Sequence, residues 1–156
     1  MTAKTKDVAN WFINKGVEDS DFVDPMKLQK LLYLAHGWSL GVRGEPLLKS
    51  HFQAWKYGPV LPKLYKWYRD LGMQLIHETS DNDYKQLPGY VTDLLSFIWN
   101  RYKGFSSIEL SSLSHEKNGP WDVTINNFKE TYDSTIDNEL IQIFYHKKYK
   151  EYYCNA

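Results

Sequence analysis

The chain has 156 residues, and its 19 lysine and arginine residues balance its 19 aspartate and glutamate residues, so the formal net charge is zero. This length predicts a single domain over residues 1–156, and the balanced charge argues against a nucleic-acid-binding protein, whose affinity rests on excess positive charge. The lone cysteine, Cys154, excludes an internal disulfide, and no apolar run is long enough for a signal peptide or a membrane span, so we expect a cytoplasmic protein without a membrane partner.

The first part of the chain is predicted to be helical. Apolar residues at helical spacing predict a helix over about residues 4–15. A second helix is predicted over about residues 25–41, because Asp24 is a good N-cap and Pro25 suits the first helical position. Apolar residues cover more than one face of this second helix, so we predict that it is the buried centre of the fold.

The stretch over residues 46–57 differs in pattern from the helices before it. Its apolar residues partly alternate, and it lies between Pro46 and the turn signal Gly58-Pro59. Such a short, bounded segment predicts a small β-hairpin or an extended segment near residues 46–57.

Three elements are predicted in the middle of the chain. A helix over residues 62–72 would bury Trp67 together with its leucines. A polar loop over residues 78–83 suggests a minor hairpin around it, and apolar spacing then predicts a helix over residues 89–102.

The last third is predicted to be helical as well. Ser106 and Glu109 have the spacing of a capping box, which predicts a short helix that ends near His115. A turn at residues 118–121 leads into another helical piece. A final helix is predicted to begin near Ser134, with Ile143 on its buried stripe and residues 146–148 at its C-terminal end. Together these patterns predict a mainly α fold, a single compact helical domain around residues 25–41.

Catalytic and metal-binding patterns are weak in this sequence. The five histidines do not pair at the spacing of metal ligands. His115 and Glu116 are adjacent, but neighbours on a helix point about 100° apart, so a histidine that binds a terminal carbonyl is the favoured interpretation. We therefore predict no catalytic residue, no metal and no cofactor, and hence a protein that is not an enzyme.

The alternative of an enzyme stays open on one condition. It requires a cleft in which histidines and carboxylates converge. The residues that would have to meet are His36, His51 or His115 with Glu109 or Asp122.

Basic residues form two local groups. One is a stripe of Lys56, Lys63, Lys66 and Arg69 near Trp67, and the other lies at residues 147–150. Such groups can bind nucleic acid, but with a net charge of zero a solvated helix face is the favoured interpretation.

Two blocks of residues resemble a known family. The runs Leu28-Gln29-Lys30-Leu31-Leu32-Tyr33, Gly37-Trp38 and Ala54-Trp55-Lys56-Tyr57-Gly58-Pro59-Val60 are similar to the first block of the Panacea domain, and Leu113-Ser114-His115 with Pro120-Trp121 is similar to its second block. The family includes SocA-like antitoxins and many phage-associated proteins. The resemblance covers about residues 5–145, with Gln53 where the family often has an acidic residue.

The resemblance implies a mainly helical antitoxin that neutralises a cognate protein toxin by direct binding. It leaves two alternatives open, a proteolytic adaptor that delivers the toxin to a Clp-type protease and a phage accessory protein that binds a host protein. Because the motif residues are mostly apolar, aromatic, Gly or Pro, their role as scaffold or as partner contacts is left open. These positions are Leu28, Gln29, Lys30, Leu31, Tyr33, Trp38, Trp55, Tyr57, Gly58, Pro59, His115, Pro120 and Trp121.

Overall fold

Helices dominate the computed structural model, which describes residues 2–128 and 134–154. The helices are α1 (Thr5–Glu18), α2 (Pro25–Arg43), α3 (Pro62–Tyr68), α4 (Gly89–Tyr102), α5 (Ser107–Ser114), α6 (Pro120–Phe128) and α7 (Asn138–Cys154), and the strands are β1 (Gln53–Trp55), β2 (Gly58–Val60) and β3 (Ser134–Thr135). The three strands form one small antiparallel sheet in the order β2-β1-β3. The predicted mainly α class with a small hairpin is therefore confirmed. None of the helices in the described ranges is both long and apolar enough to cross a bilayer.

Helix α2 is the centre of the fold, as its sequence predicts. The Asp24 carboxylate accepts the Lys27 backbone N–H at 2.9 Å, and Pro25 follows the cap. Every residue from Lys27 to Gly41 is buried, because α1, α3, α4, α5 and α7 all pack around this helix. The helix ends at Gly44, which has left-handed backbone angles.

Helix α7 lies closest to α2, and glycine makes the close approach feasible. A Cβ atom placed on Gly41 would lie 2.5 Å from the backbone carbonyl carbon of Tyr145. Any larger residue at position 41 would push the two helices apart.

The predicted start of the last helix is wrong, and so is the predicted burial of Ile143. Ser134 pairs with Ala54 in the sheet as part of β3, so α7 begins only at Asn138. Its buried residues are Ile141 and Tyr145, whereas Ile143 is 63% exposed. The helix also continues past residues 146–148, which are therefore not its C-terminal end.

The predicted hairpin near residues 46–57 exists, but it lies further along the chain. Strand β1 pairs with β2 so that Trp55 lies opposite Gly58, and Gly58-Pro59 belongs to a strand instead of the turn. Residues 46–52 are not in a strand, because Leu48 is buried in the core and its backbone N–H donates to His36 Nδ1 at 3.3 Å.

Further boundaries differ from the sequence-based predictions. The first helix continues to Glu18, three residues past Lys15. Helix α3 ends at Tyr68 and is followed by a 3₁₀ turn, and Trp67 is exposed instead of buried. The minor hairpin around residues 78–83 is wrong, because Ile76 bridges to Val23 and residues 83–86 form a second 3₁₀ turn.

Two other helix predictions are confirmed. Helix α4 covers Gly89–Tyr102, the predicted range. The capping box at α5 is present, with Ser106 Oγ accepting the Glu109 backbone N–H and the Glu109 carboxylate accepting the Ser106 N–H, both at 3.1 Å.

Candidate functional site

Both motif blocks meet at the β1–β2 hairpin. Four backbone carbonyl groups of the hairpin each contact a side chain from another element. These contacts are Trp121 Nε1 to Trp55 O at 2.7 Å, His115 Nε2 to Lys56 O at 3.1 Å, Ser111 Oγ to Tyr57 O at 2.6 Å and Lys30 Nζ to Pro59 O at 3.0 Å. We call Lys30, Ser111, His115 and Trp121 the hairpin anchors, because they hold the turn in one position relative to α2, α5 and α6.

Local sequence explains how the anchors arrive there. The capping box fixes the start of α5, which places Ser111 on the helix and His115 at its C-terminal end. The Nδ1 atom of His115 contacts the Ser111 carbonyl, so the predicted bond of a helix-end histidine is confirmed. Pro120 starts α6 and brings the Trp121 ring to 3.9 Å from the His115 ring.

A buried amide fixes the far end of the hairpin. The Gln29 side chain donates to Leu61 O at 3.1 Å and accepts the Leu61 N–H at 2.9 Å. The Gln29 side chain thus provides hydrogen-bond partners for both the N–H and the C=O group of Leu61, which follows β2 and has no partner in the sheet.

Both the backbone conformation and the lack of free space require a glycine at position 58. Its φ is +115°, which lies in the region that favours glycine. A Cβ atom there would lie 2.5 Å from Ser114 Oγ and 2.9 Å from Lys30 Cε. The hairpin therefore packs directly against α2 and α5 with no room for a side chain.

Lys30 is the most unusual charged residue of the anchors. Its side chain belongs to the buried core, with 2% of its surface exposed, and burial lowers its pKa from 10.5 to about 7. Pro59 O is a single acceptor for an ammonium group that carries three donors. Burial therefore favours the neutral amine of Lys30 more strongly than at an exposed lysine.

Two of the three histidines and both carboxylates of the enzyme alternative make hydrogen bonds within the fold, whereas His51 is exposed. His36 Nδ1 accepts the Leu48 backbone N–H, so Nε2 carries the proton and donates to Asn138 Oδ1 at 2.9 Å. Burial lowers the pKa of His36, which keeps the ring neutral.

The carboxylates are bound locally as well. Glu109 completes the capping box, and Asp122 accepts the Asn118 backbone N–H at 2.8 Å. Across residues 2–128 and 134–154, no hydrogen bond or ion pair joins His36, His51 or His115 to either carboxylate.

An open apolar groove of about 440 Å³ runs between the hairpin, the start of α2, and α3. Its floor includes Val60 and Leu64, both buried. Its rim carries Tyr57, Tyr65 and Met73, which are 58%, 44% and 59% exposed. Large aromatic and methionine side chains that remain in solvent on a fixed frame are typical of protein interfaces.

The charged side chains that line this groove are all basic. The charged residues in its lining are Lys30, Lys56 and Arg69, with no carboxylate among them. The nearby Asp24 carboxylate is engaged as the cap of α2. The described ion pairs involve Lys6, Lys15, Arg43 and Lys148, so neither Lys56 nor Arg69 has an acidic partner in that part of the chain.

A larger cavity of about 570 Å³ lies between α2, α4, α5 and α7. Lys30 and Glu151 also line this cavity, and three of its other charged groups make contacts within the protein. Lys148 pairs with Glu116 at 3.1 Å, and the Arg101 guanidinium stacks on Tyr152 at 4.5 Å. The groove beside the hairpin is the better candidate for a partner site, because its lining contains cations but no carboxylate and its rim exposes large apolar side chains.

A carboxylate cluster joins α1 to the loop before α4. The oxygens of Asp7, Asp81 and Asp83 lie within 4.8 Å of one another. Lys6 neutralises part of this charge through an ion pair with Asp81 at 2.6 Å. Burial and Asp83 raise the pKa of Asp7. Sequence analysis missed this cluster, because its members are separated by more than seventy positions.

The structure divides the motif positions into a buried majority and an exposed minority. Leu28, Gln29, Lys30, Leu31, Tyr33, Trp38, Gly58, Pro59 and Pro120 are buried. Trp55, His115 and Trp121 are half-buried, and Tyr57 is exposed at the rim of the groove. The groove residue Met73, in the turn after α3, lies outside the motif positions selected from the sequence.

Comparisons with known proteins agree on one family. The family model described as "Antitoxin SocA-like, Panacea domain" matches residues 28–122. The chain is 32% identical to Antitoxin SocA from Caulobacter vibrioides (strain NA1000 / CB15N), and the match covers 76% of this chain and 69% of that protein. No solved structure matches the chain.

Proposed function

Because the chain belongs to the SocA-like Panacea domain family of antitoxins, we propose that it neutralises a cognate protein toxin by direct binding instead of by catalysis. The observation that carries this proposal is the apolar groove, whose rim exposes Tyr57, Tyr65 and Met73 beside a firmly held hairpin. Interface energy is concentrated in such aromatic and arginine anchors, and a rigid frame reduces the entropy lost on binding.

The motif residues fit this function as the frame of the binding surface. Lys30, Ser111, His115 and Trp121 fix the hairpin from behind. They leave the Tyr57 side chain on the outer side. Most motif positions would then support the frame, with Tyr57 as the motif position that contacts the partner, and relatives could share the frame while binding different toxins.

The proposal is tested by co-expression with the immediately neighbouring gene. Each gene is induced alone and with the other, and growth is scored together with co-purification. We expect the neighbour alone to stop growth, and this chain to restore growth while co-purifying with the product. A harmless neighbour that does not co-purify would remove the basis for the antitoxin proposal.

The same experiment separates neutralisation from delivery to a Clp-type protease. Neutralisation leaves the toxin at its normal level in a stable complex, whereas an adaptor lowers the toxin level in cells that contain the protease. Immunoblots of the tagged toxin, with and without the protease genes, distinguish the two mechanisms.

A further inference from the structure

The charge pattern of the groove specifies the chemistry of its occupant. The rim supplies large apolar side chains, and the charged groups of the lining are all cationic. Lys56 comes from the hairpin turn and Arg69 from the turn after α3, and both are exposed. Lys63 and Lys66, the other exposed cations of α3, do not line the groove.

These cations are not neutralised by the protein itself. Lys56 and Lys63 lie over the aromatic rings of Tyr57 and Trp67 at 5.6 Å, and no carboxylate pairs with them among the described residues. The net charge of the chain is zero, so the carboxylates that balance the positive charge of the groove lie elsewhere in the protein. Complementary charge from a partner would therefore be favoured at this groove.

Strand addition is a poor fit to this site. The carbonyls of Trp55, Tyr57 and Pro59 already accept hydrogen bonds from side chains behind the hairpin. A partner would therefore contact the side chains of the groove and not its backbone groups. The choice of partner would then depend on the shape and charge of the groove.

From this geometry we propose that the groove binds an acidic segment of the toxin, in which aromatic or aliphatic side chains enter the groove and carboxylates contact Lys56 and Arg69. This inference rests on the proposed antitoxin function, and it adds the site and the chemical class of the bound segment. A nucleic acid would also be attracted by cations, but it lacks the aliphatic side chains that the apolar floor at Val60 and Leu64 fits.

The test is a selection of random peptides displayed on phage, with the full chain as the immobilised target. We expect the enriched peptides to combine Asp or Glu with aromatic or aliphatic residues. The variant K56E/R69E should weaken the binding of a selected peptide at least tenfold, and selection against that variant should enrich basic peptides instead. The variant K49E/K150E is the matched control, because it reverses two exposed lysines outside the groove lining and should bind the acidic peptide like the wild type.

Several results would overturn the inference. These are enrichment without acidic bias, no enrichment at all, equal binding by K56E/R69E and the control, or tighter binding of a thymidine oligonucleotide that the groove variant loses. Thermal melts of both variants check that each one is folded.

The rescue assay separates this inference from the proposed function. If K56E/R69E still rescues growth and co-purifies with the toxin, the groove assignment is wrong while the antitoxin function holds. If acidic peptides bind the groove but the neighbouring gene is harmless, the antitoxin function fails and the peptide preference stands.

Discussion

At the scale of single residues, the hairpin depends on positions where no other side chain fits. Gly58 combines a φ of +115° with contacts to Ser114 and Lys30. Lys30 in turn is a buried lysine held by one carbonyl acceptor. Both are motif positions whose contacts set the geometry of the frame, so their substitution should first change stability.

Substitution of Gly58 tests this role. We expect Gly58→Ala to lower the free energy of unfolding by about 2 kcal/mol or more, since it adds backbone strain of about 1–3 kcal/mol and a steric clash. Urea unfolding followed by tryptophan fluorescence measures the change. Gly104→Ala is the control, because a Cβ atom there meets nothing within 4 Å and should leave stability nearly unchanged.

Lys30 predicts a pH dependence with a defined sign. The unfolded chain keeps the ordinary lysine pKa of 10.5, whereas burial lowers the pKa of Lys30 in the folded chain to about 7. Between these two values the unfolded state binds more protons, so the contribution of Lys30 to the unfolding free energy increases as the pH rises from about 7 towards 10.5.

The measurement compares the wild type with Lys30→Met by urea unfolding from pH 6 to pH 10. We expect the stability of the wild type relative to the variant to increase above pH 7 and to be flat below it. Lys49→Met, at an exposed lysine, controls for the loss of a charge. A flat difference across the whole range would show that the Lys30 ammonium is not desolvated.

At the scale of elements, the helices and the small hairpin could be predicted from short-range patterns, whereas the third strand of the sheet could not. Asp24-Pro25 marks the start of α2, and the Ser106–Glu109 box marks the start of α5, because caps act over three or four residues. Strand β3 forms only because Thr135 pairs with Gln53, more than eighty positions away. No local pattern indicates that pairing. For this reason the sequence predicts a start of α7 near Ser134, which is too early.

The candidate site shows the same division. The motif residues were selected from the sequence by their resemblance, but the bonds of Lys30 and Trp121 to the hairpin carbonyls require distances between α2, α6 and the turn. The exposed Met73 carried no sequence signal at all, since it follows a turn in a stretch without regular spacing.

Loss of the α5 cap gives a prediction at this scale. We expect Ser106→Ala to lower the free energy of unfolding by about 1 kcal/mol, because the Glu109 N–H loses its acceptor. Because α5 carries Ser111 and His115, amide exchange in the hairpin should also become faster. Ser112→Ala, an exposed serine on the same helix, should change neither quantity.

At the scale of the whole molecule, the fold separates a frame from a surface. Helix α2 lies at the centre and carries Gln29 and Lys30, which hold the hairpin from the core side. The hairpin and α3 then present an apolar groove with exposed aromatic residues and unpaired cations on the other side. In the proposed function this surface contacts the toxin, and the remaining helices support it.

The most direct test of this account replaces two exposed apolar rim residues and measures rescue of growth with the neighbouring gene. The variant Tyr57→Ser/Met73→Ser removes side chains that are 58% and 59% exposed, and the control Ile108→Ser/Ile143→Ser removes side chains that are 69% and 63% exposed outside the groove. We predict that the control rescues growth and co-purifies with the toxin, whereas the groove variant is folded but does neither. Rescue by the groove variant at the level of the wild type would contradict the assignment of the groove as the toxin-binding surface.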